Sequence, residues 1–198
     1  MQRNLCLLCC VKNESMVISE FIDHYVEEGF DSFIFVDNGS TDDTPSKIQT
    51  IFQKYPECFY EIRFMPKKNA QVELLNQVFQ EVRSKYTYMA LFDADEYIYS
   101  VDPKYNSKQV INQIFSENPN VDSIEVPWIC FGSSGHEKQP DSIRKSFVLC
   151  RKKPDVARDW QKSIVRCKNT ISIDIHKCHV KGRKLLASDT RKYLKINH

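Results

Sequence analysis

Three short apolar runs constrain the fold most. Leu5 to Val11, Ser32 to Val36 and Tyr88 to Phe92 are hydrophobic at both parities of a strand, as strands covered on both faces must be. Helical patterns lie between them. Ile18, Phe21, Ile22 and Tyr25 share one stripe, which Gly29 ends. Thr44-Pro45 reads as an N-cap with a first-turn proline, ahead of the stripe Ile48, Ile51, Phe52 and Tyr55. Phe59 to Phe64 is a third strand, and Val72, Leu75, Val78, Phe79 and Val82 mark a third helix. This β-α-β-α order predicts an α/β fold, a mainly parallel central sheet flanked by helices.

After Glu96 the pattern becomes β-rich. One helix is expected over Ser107 to Glu117, with Val110, Ile111, Ile114 and Phe115 inward and Asn118-Pro119 as its stop. Strands are expected over Ser123 to Phe131, Ser146 to Cys150, Ser163 to Cys167 and Ile171 to Ile175, with a polar loop at Gly132 to His136. At 198 residues and 41% hydrophobic, the chain fits one globular domain over 1–198, which is open to being part of a longer protein. A formal charge of +2 makes no case for a nucleic-acid partner. No signal-peptide pattern or run of transmembrane length occurs, so no integral membrane segment is expected. Most of the eight cysteines sit in apolar runs, where free thiols act as small hydrophobes, so a reducing, cytoplasmic setting is expected.

Open parallel sheets bind ligands at the carboxyl ends of their strands. Lys12-Asn13-Glu14, Asp37-Asn38 and Asp93-Ala94-Asp95 all fall at such ends. The last of these crowds carboxylates after a buried strand. A divalent metal neutralises such a cluster, taking oxygen ligands from it and the rest from water or a bound phosphate. Asp-x-Asp at this place therefore points to a metal that holds a nucleotide diphosphate.

The matching pieces are Val11 to Glu14, Val36 to Asp42, Phe92 to Glu96, Trp128 with Phe131 to His136, Lys162 to Arg166, His176 to His179 and Asn197-His198. In this order they resemble the nucleotide-sugar-dependent glycosyltransferases of the GT-A fold. The resemblance is greatest to the family-2-like group that includes family 92 and DUF23-type proteins, whose compact, anchorless members also occur in viruses. It implies a UDP-sugar donor, a glycan or other hydroxyl acceptor, and Mn2+ or Mg2+ as cofactor. It also implies a nucleotide-binding half, 1–99, and an acceptor-side half, 100–198.

By the same resemblance, Asp95 binds the metal, and Asp93 contacts the ribose or reaches the metal through water. Asp37 lies near the base or ribose, where a carboxylate accepts from uracil N–H; Asp37-Asn38-Gly39 is equally a good turn. Val11, Lys12, Asn13 and Glu14 line the same pocket, partly through backbone groups, while Asn13 or Ser15 could instead be a helix N-cap. A late histidine would complete the metal site. His179 is favoured over His176, and either could be an ordinary surface or core histidine. Lys162 and Arg166, which share parity on one strand, could face the diphosphate. Trp128 and Phe131 offer a flat wall to a sugar, or belong to the core. Inversion at the anomeric carbon needs one base on the acceptor side. Asp159 is the candidate, with Asp155, Glu137 and His136 as rivals. A sugar nucleotidyltransferase would usually carry a Gly-rich first loop, and Val11 to Ser15 has no glycine. A nucleotide- or sugar-binding module without turnover is the other alternative.

Overall fold

The computed structural model describes residues 3–150 and 160–198. The chain runs β1 (Arg3–Val11), α1 (Ile18–Glu27), β2 (Ser32–Asp37), α2 (Thr44–Ile51), β3 (Phe59–Phe64), α3 (Gln71–Val82), β4 (Tyr86–Leu91), β5 (Tyr97–Ser100) and α4 (Ser107–Glu117). It continues through β6 (Val121–Ile129), α5 (Ile143–Ser146), β7 (Gln161–Arg166), β8 (Thr170–Ser172), β9 (His179–Val180), β10 (Arg183–Leu185), α6 (Ala187–Thr190) and β11 (Leu194–Asn197). Among the described residues nine strands form one sheet, in the order β3-β2-β1-β4-β7-β6-β11-β5, with β10 beside β6.

The central strands of the sheet are buried on both faces, and β1 shows how. Leu5, Leu7, Cys9 and Val11 join Phe21, Tyr25 and Phe33 in one apolar layer; Cys6 and Leu8 join Leu75, Val78 and Phe79 of α3 in the other. Successive side chains of a strand point to opposite faces, so a run without polar gaps fills two cores. Each such Leu or Phe contributes about 1.5–3 kcal/mol by burial. In α3, Leu74 takes the buried place expected of Val72, which is 36% exposed. Gly29 closes α1 at φ +86, with the Phe30 N–H reaching the Tyr25 carbonyl at 2.9 Å. A Cβ there would stand 2.7 Å from Asn106 Nδ2. The left-handed turn and the close approach both require glycine.

Strand direction decides what meets at the sheet edge. β1, β2, β3 and β4 are mutually parallel and end together. β7 runs antiparallel to β4 and β6, so its first residues, Gln161 and Lys162, arrive at that edge and Arg166 lies at the opposite one. β6 and β11 run with β4, so Trp128 and His198 arrive there too.

Two expected strands differ. Among the described residues, 146–150 carry strand pairing only at the Phe131–Cys150 bridge, and α5 ends at Ser146. Glu20 of α1 accepts the Ser142 hydroxyl at 2.6 Å and the Ile143 N–H at 3.1 Å, a tertiary contact that starts a helical turn. β8 stops at Ser172 because Asn76 of α3 accepts the Ile173 N–H at 2.8 Å and draws the chain away. All eight cysteines are free thiols. No helix among the described residues is long and apolar enough to cross a membrane.

Candidate functional site

The turn after β4 is closed from inside. Glu96, 0% exposed, accepts the Asp93 N–H on Oε2 at 2.9 Å. Its own carbonyl accepts the Tyr25 hydroxyl at 2.9 Å, which ties the turn to α1. Lys162, only 1% exposed, sets its ammonium 2.5 Å from Asp93 Oδ2 and 3.4 Å from Glu96 Oε2. Gln71, at the start of α3, donates to the other Asp93 oxygen at 3.1 Å. Burial pushes the Glu96 carboxyl up to about 8, against the pull of Lys162. One buried cation thus holds Asp93 and Glu96 together, because unpaired buried carboxylates are costly.

Asp95 is left facing outward, its side chain 59% exposed. His198 Nε2 stands 3.4 Å from Asp95 Oδ2. Their hydrogen bond raises the imidazole above its ordinary value and lowers the carboxyl below its own. His198 is held firmly. Its ring stacks on Trp128 at 4.1 Å, its N–H donates to the Ile129 carbonyl at 3.0 Å, and its carbonyl accepts the Phe131 N–H at 2.7 Å.

The other sequence candidates separate. His179 is exposed in β9, paired with Ser172 in the two-stranded β8–β9 ribbon rather than set beside Asp95. His176 packs at 4.8 Å from Trp160 and 5.4 Å from Trp128, with Nδ1 3.3 Å from the Gln161 carbonyl. Arg166, at the far edge, lies 3.4 Å from Asp122 and donates to the Tyr88 hydroxyl at 3.3 Å. Asp159 and Asp155 lie outside the described residues. His136 and Glu137 are exposed in the loop after β6. His198 belongs to the matched segments, yet no local pattern marks it as a ligand. The alternation of Leu194 and Ile196 could have placed β11 and aimed its end.

The loops after β1 and β2 interlock. Asn13, at φ +58, accepts the Thr41 N–H on Oδ1 at 2.7 Å. The Glu14 N–H donates to Thr44 Oγ1 at 2.8 Å, and Thr44 Oγ1 donates to Asp42 at 2.6 Å. Thr44 therefore ties the two loops rather than capping α2. Asp37, 1% exposed, accepts the Ser40 N–H at 2.7 Å, and Val11 O accepts the Asn38 N–H at 2.9 Å. Glu14 is half-buried. Burial first, then the charges of Asp95, Asp42 and Asp93, raise its carboxyl above the ordinary value. Lys12 lies across an open hollow of about 880 Å3 from Lys68, Asn69 and Gln71 at the start of α3.

A mainly parallel sheet flanked by helices is the GT-A fold, and solved structures of glycosyltransferases are similar to it. A mannosyltransferase from Pyrobaculum calidifontis, determined with GDP-Man and Mn2+, matches with TM-score 0.52 at 16% identity, over 84% of this chain and 45% of its own. TarS 1-349 of S. aureus, determined with UDP-GlcNAc, gives 0.54 at 14% identity, over 84% and 46%. GalNAc-T7, determined with UDP, GalNAc and Mn2+, gives 0.61 at 8% identity, over 100% and 44%. At these identities the likeness is one of fold, and the chain spans a little under half the length of each. The model of glycosyl transferase family 2 matches residues 6–153, and the chain belongs to that family. No curated protein matches it.

Proposed function

We propose that the chain moves a sugar from a UDP-sugar to an acceptor hydroxyl, with inversion, as a metal-dependent glycosyltransferase of hexosyltransferase type. The observation that carries this is the outward-facing Asp95 beside His198, at the edge where β1, β2 and β4 end. The resemblance to family 92 and DUF23-type proteins gives the subgroup.

The donor chemistry of Asp95 and His198 suits Mn2+ or Mg2+. One hard oxygen and one imidazole nitrogen stand within reach of each other, on an open side, with Glu14 and Asp93 adding negative charge. No group of three or more His, Cys, Asp or Glu among the described residues makes a closed metal cage, so water and diphosphate oxygens would complete the coordination. His198, rather than His179, is the histidine proposed here. When bound, the ion supplies charge stabilisation to the departing diphosphate.

The remaining roles belong to the chain. Lys162 and Gln71 hold Asp93, which presents its carboxylate to the ribose. Lys162 acts by fixing the turn, since its ammonium is buried and paired. The Val11–Glu14 loop and Asp37 form the nucleoside side. One Asp37 oxygen is taken by Ser40, and uracil N–H would go to the other. The acceptor oxygen attacks the anomeric carbon and forms the new C–O bond. The old bond to the diphosphate breaks, UDP leaves with its electron pair, and the acceptor proton goes to the base. Asp159 is the proposed base. Residues 1–99 form the nucleotide half, residues 100–198 the acceptor half, and the setting is cytoplasmic.

The test is mass-spectrometric detection of UDP released from a panel of UDP-sugars with and without Mn2+. Release that needs Mn2+ is expected. Absence of both UDP release and Mn2+-dependent nucleotide binding, with every sugar nucleotide tried, would sink the proposal.

A further inference from the structure

A cleft of about 460 Å3 opens beside Asp95 and His198, and none of its lining residues belongs to the loops at 12–15 or 37–44. Its size falls within the roughly 300–1,000 Å3 of small-molecule sites. The rings of Tyr97, Tyr99, Phe131 and Phe147 wall it, and its charged groups are Asp95, Glu28 and Arg144.

Three polar side-chain atoms around the cleft have no hydrogen-bond partner among the described residues: His24 Nδ1, Tyr97 Oη and Asn197 Oδ1. His24 and Tyr97 are each only 4% exposed. Buried polar atoms are rarely left unpaired, so a cluster of them beside a cleft calls for an explanation. His24 donates its Nε2–H to the Ile98 carbonyl at 2.6 Å, which leaves Nδ1 an acceptor. Asn197 Oδ1 also accepts, Tyr97 Oη does both, and the Arg144 guanidinium donates. The matching ligand must therefore both donate and accept, as hydroxyls do. A phosphate or carboxylate only accepts, and it would face Asp95 and Glu28. The aromatic walls suit the C–H face of a sugar ring.

We infer that this cleft is the acceptor subsite and takes a neutral sugar, its reacting hydroxyl turned toward Asp95 and His198. The inference rests on the donor reading above, and the experiment separates the two. Saturation-transfer NMR on the full chain, with and without UDP and Mn2+, would use methyl glycosides of glucose, galactose and mannose, with glycerol 3-phosphate as the anionic probe. Two variants accompany it. Val148→Trp adds bulk at a cleft residue that is 64% exposed, and Phe147→Ala removes a wall. At least one glycoside should bind the wild type and weaken about tenfold in both variants, with the UDP and Mn2+ thermal shift unchanged. Binding of no glycoside, binding indifferent to both variants, or binding of glycerol 3-phosphate alone would overturn the inference. A wild type that binds a glycoside but shows no UDP shift would contradict the donor reading and leave the sugar site standing.

Discussion

On one side of Asp95, the loops after β1 and β2 spend their polar atoms on each other: Asn13 on Thr41, Asp37 on Ser40, Thr44 on both Glu14 and Asp42. On the other side, the cleft among α1, β5 and α5 leaves His24 Nδ1, Tyr97 Oη and Asn197 Oδ1 without partners among the described residues. The first side is preorganised, as the nucleotide pocket proposed there requires. The second has hydrogen-bonding capacity that the fold itself does not use.

Lys162 joins the two sides, because β7 lies between β4 and β6 and carries the cation to the Asp93–Glu96 turn. Lys162→Met should break both. It leaves the buried Glu96 without its cation and the one-third exposed Asp93 with Gln71 alone, and should lower unfolding stability by about 3 kcal/mol in urea melts. A loss below 1 kcal/mol, a single exposed ion pair's worth, would mean the turn holds without it.

His24 sharpens the acceptor side. Burial lowers it from 6.5 to about 4; Arg144 acts in the same direction and the Ile98 carbonyl in the other. Between those values the unfolded chain binds a proton that the folded chain refuses. Stability is therefore full above pH 6.5 and falls as pH drops toward 4, by at most about 3 kcal/mol. His24→Phe should flatten that slope in thermal melts. An unchanged slope would show that His24 is not kept neutral by its burial beside the cleft.

Asn13→Ala breaks the donor side alone. It removes the bond to the Thr41 N–H and puts alanine at φ +58, which should cost about 1–2 kcal/mol. UDP affinity should fall while glycoside binding in the cleft stays as it was. Equal loss at both would erase the distinction between the two sides.

The contrast also marks what the sequence discloses. Sheet and helix order are plain in runs such as Leu5 to Val11, because a strand buried on both faces leaves no other composition. The turn at Asp93 to Glu96 is plain for the same reason, being the abrupt end of such a run. His198 is not. Its place depends on β11 pairing with β6 through Ile196 and Trp128, a contact 68 residues apart in sequence (196 − 128) that local spacing does not encode. His179 is the histidine that the resemblance favours, yet β8 pairs with its strand and takes it elsewhere. The helical turn α5 likewise depends on Glu20, more than a hundred residues earlier (143 − 20 = 123).

Mn2+ titration followed by electron paramagnetic resonance, in the presence of UDP, tests the central claim most directly. The free-ion signal should be quenched by the wild type and by His179→Ala, and should return in Asp95→Ala and His198→Ala. Quenching that survives the loss of Asp95, or that disappears with His179 while His198→Ala still binds, would contradict the account.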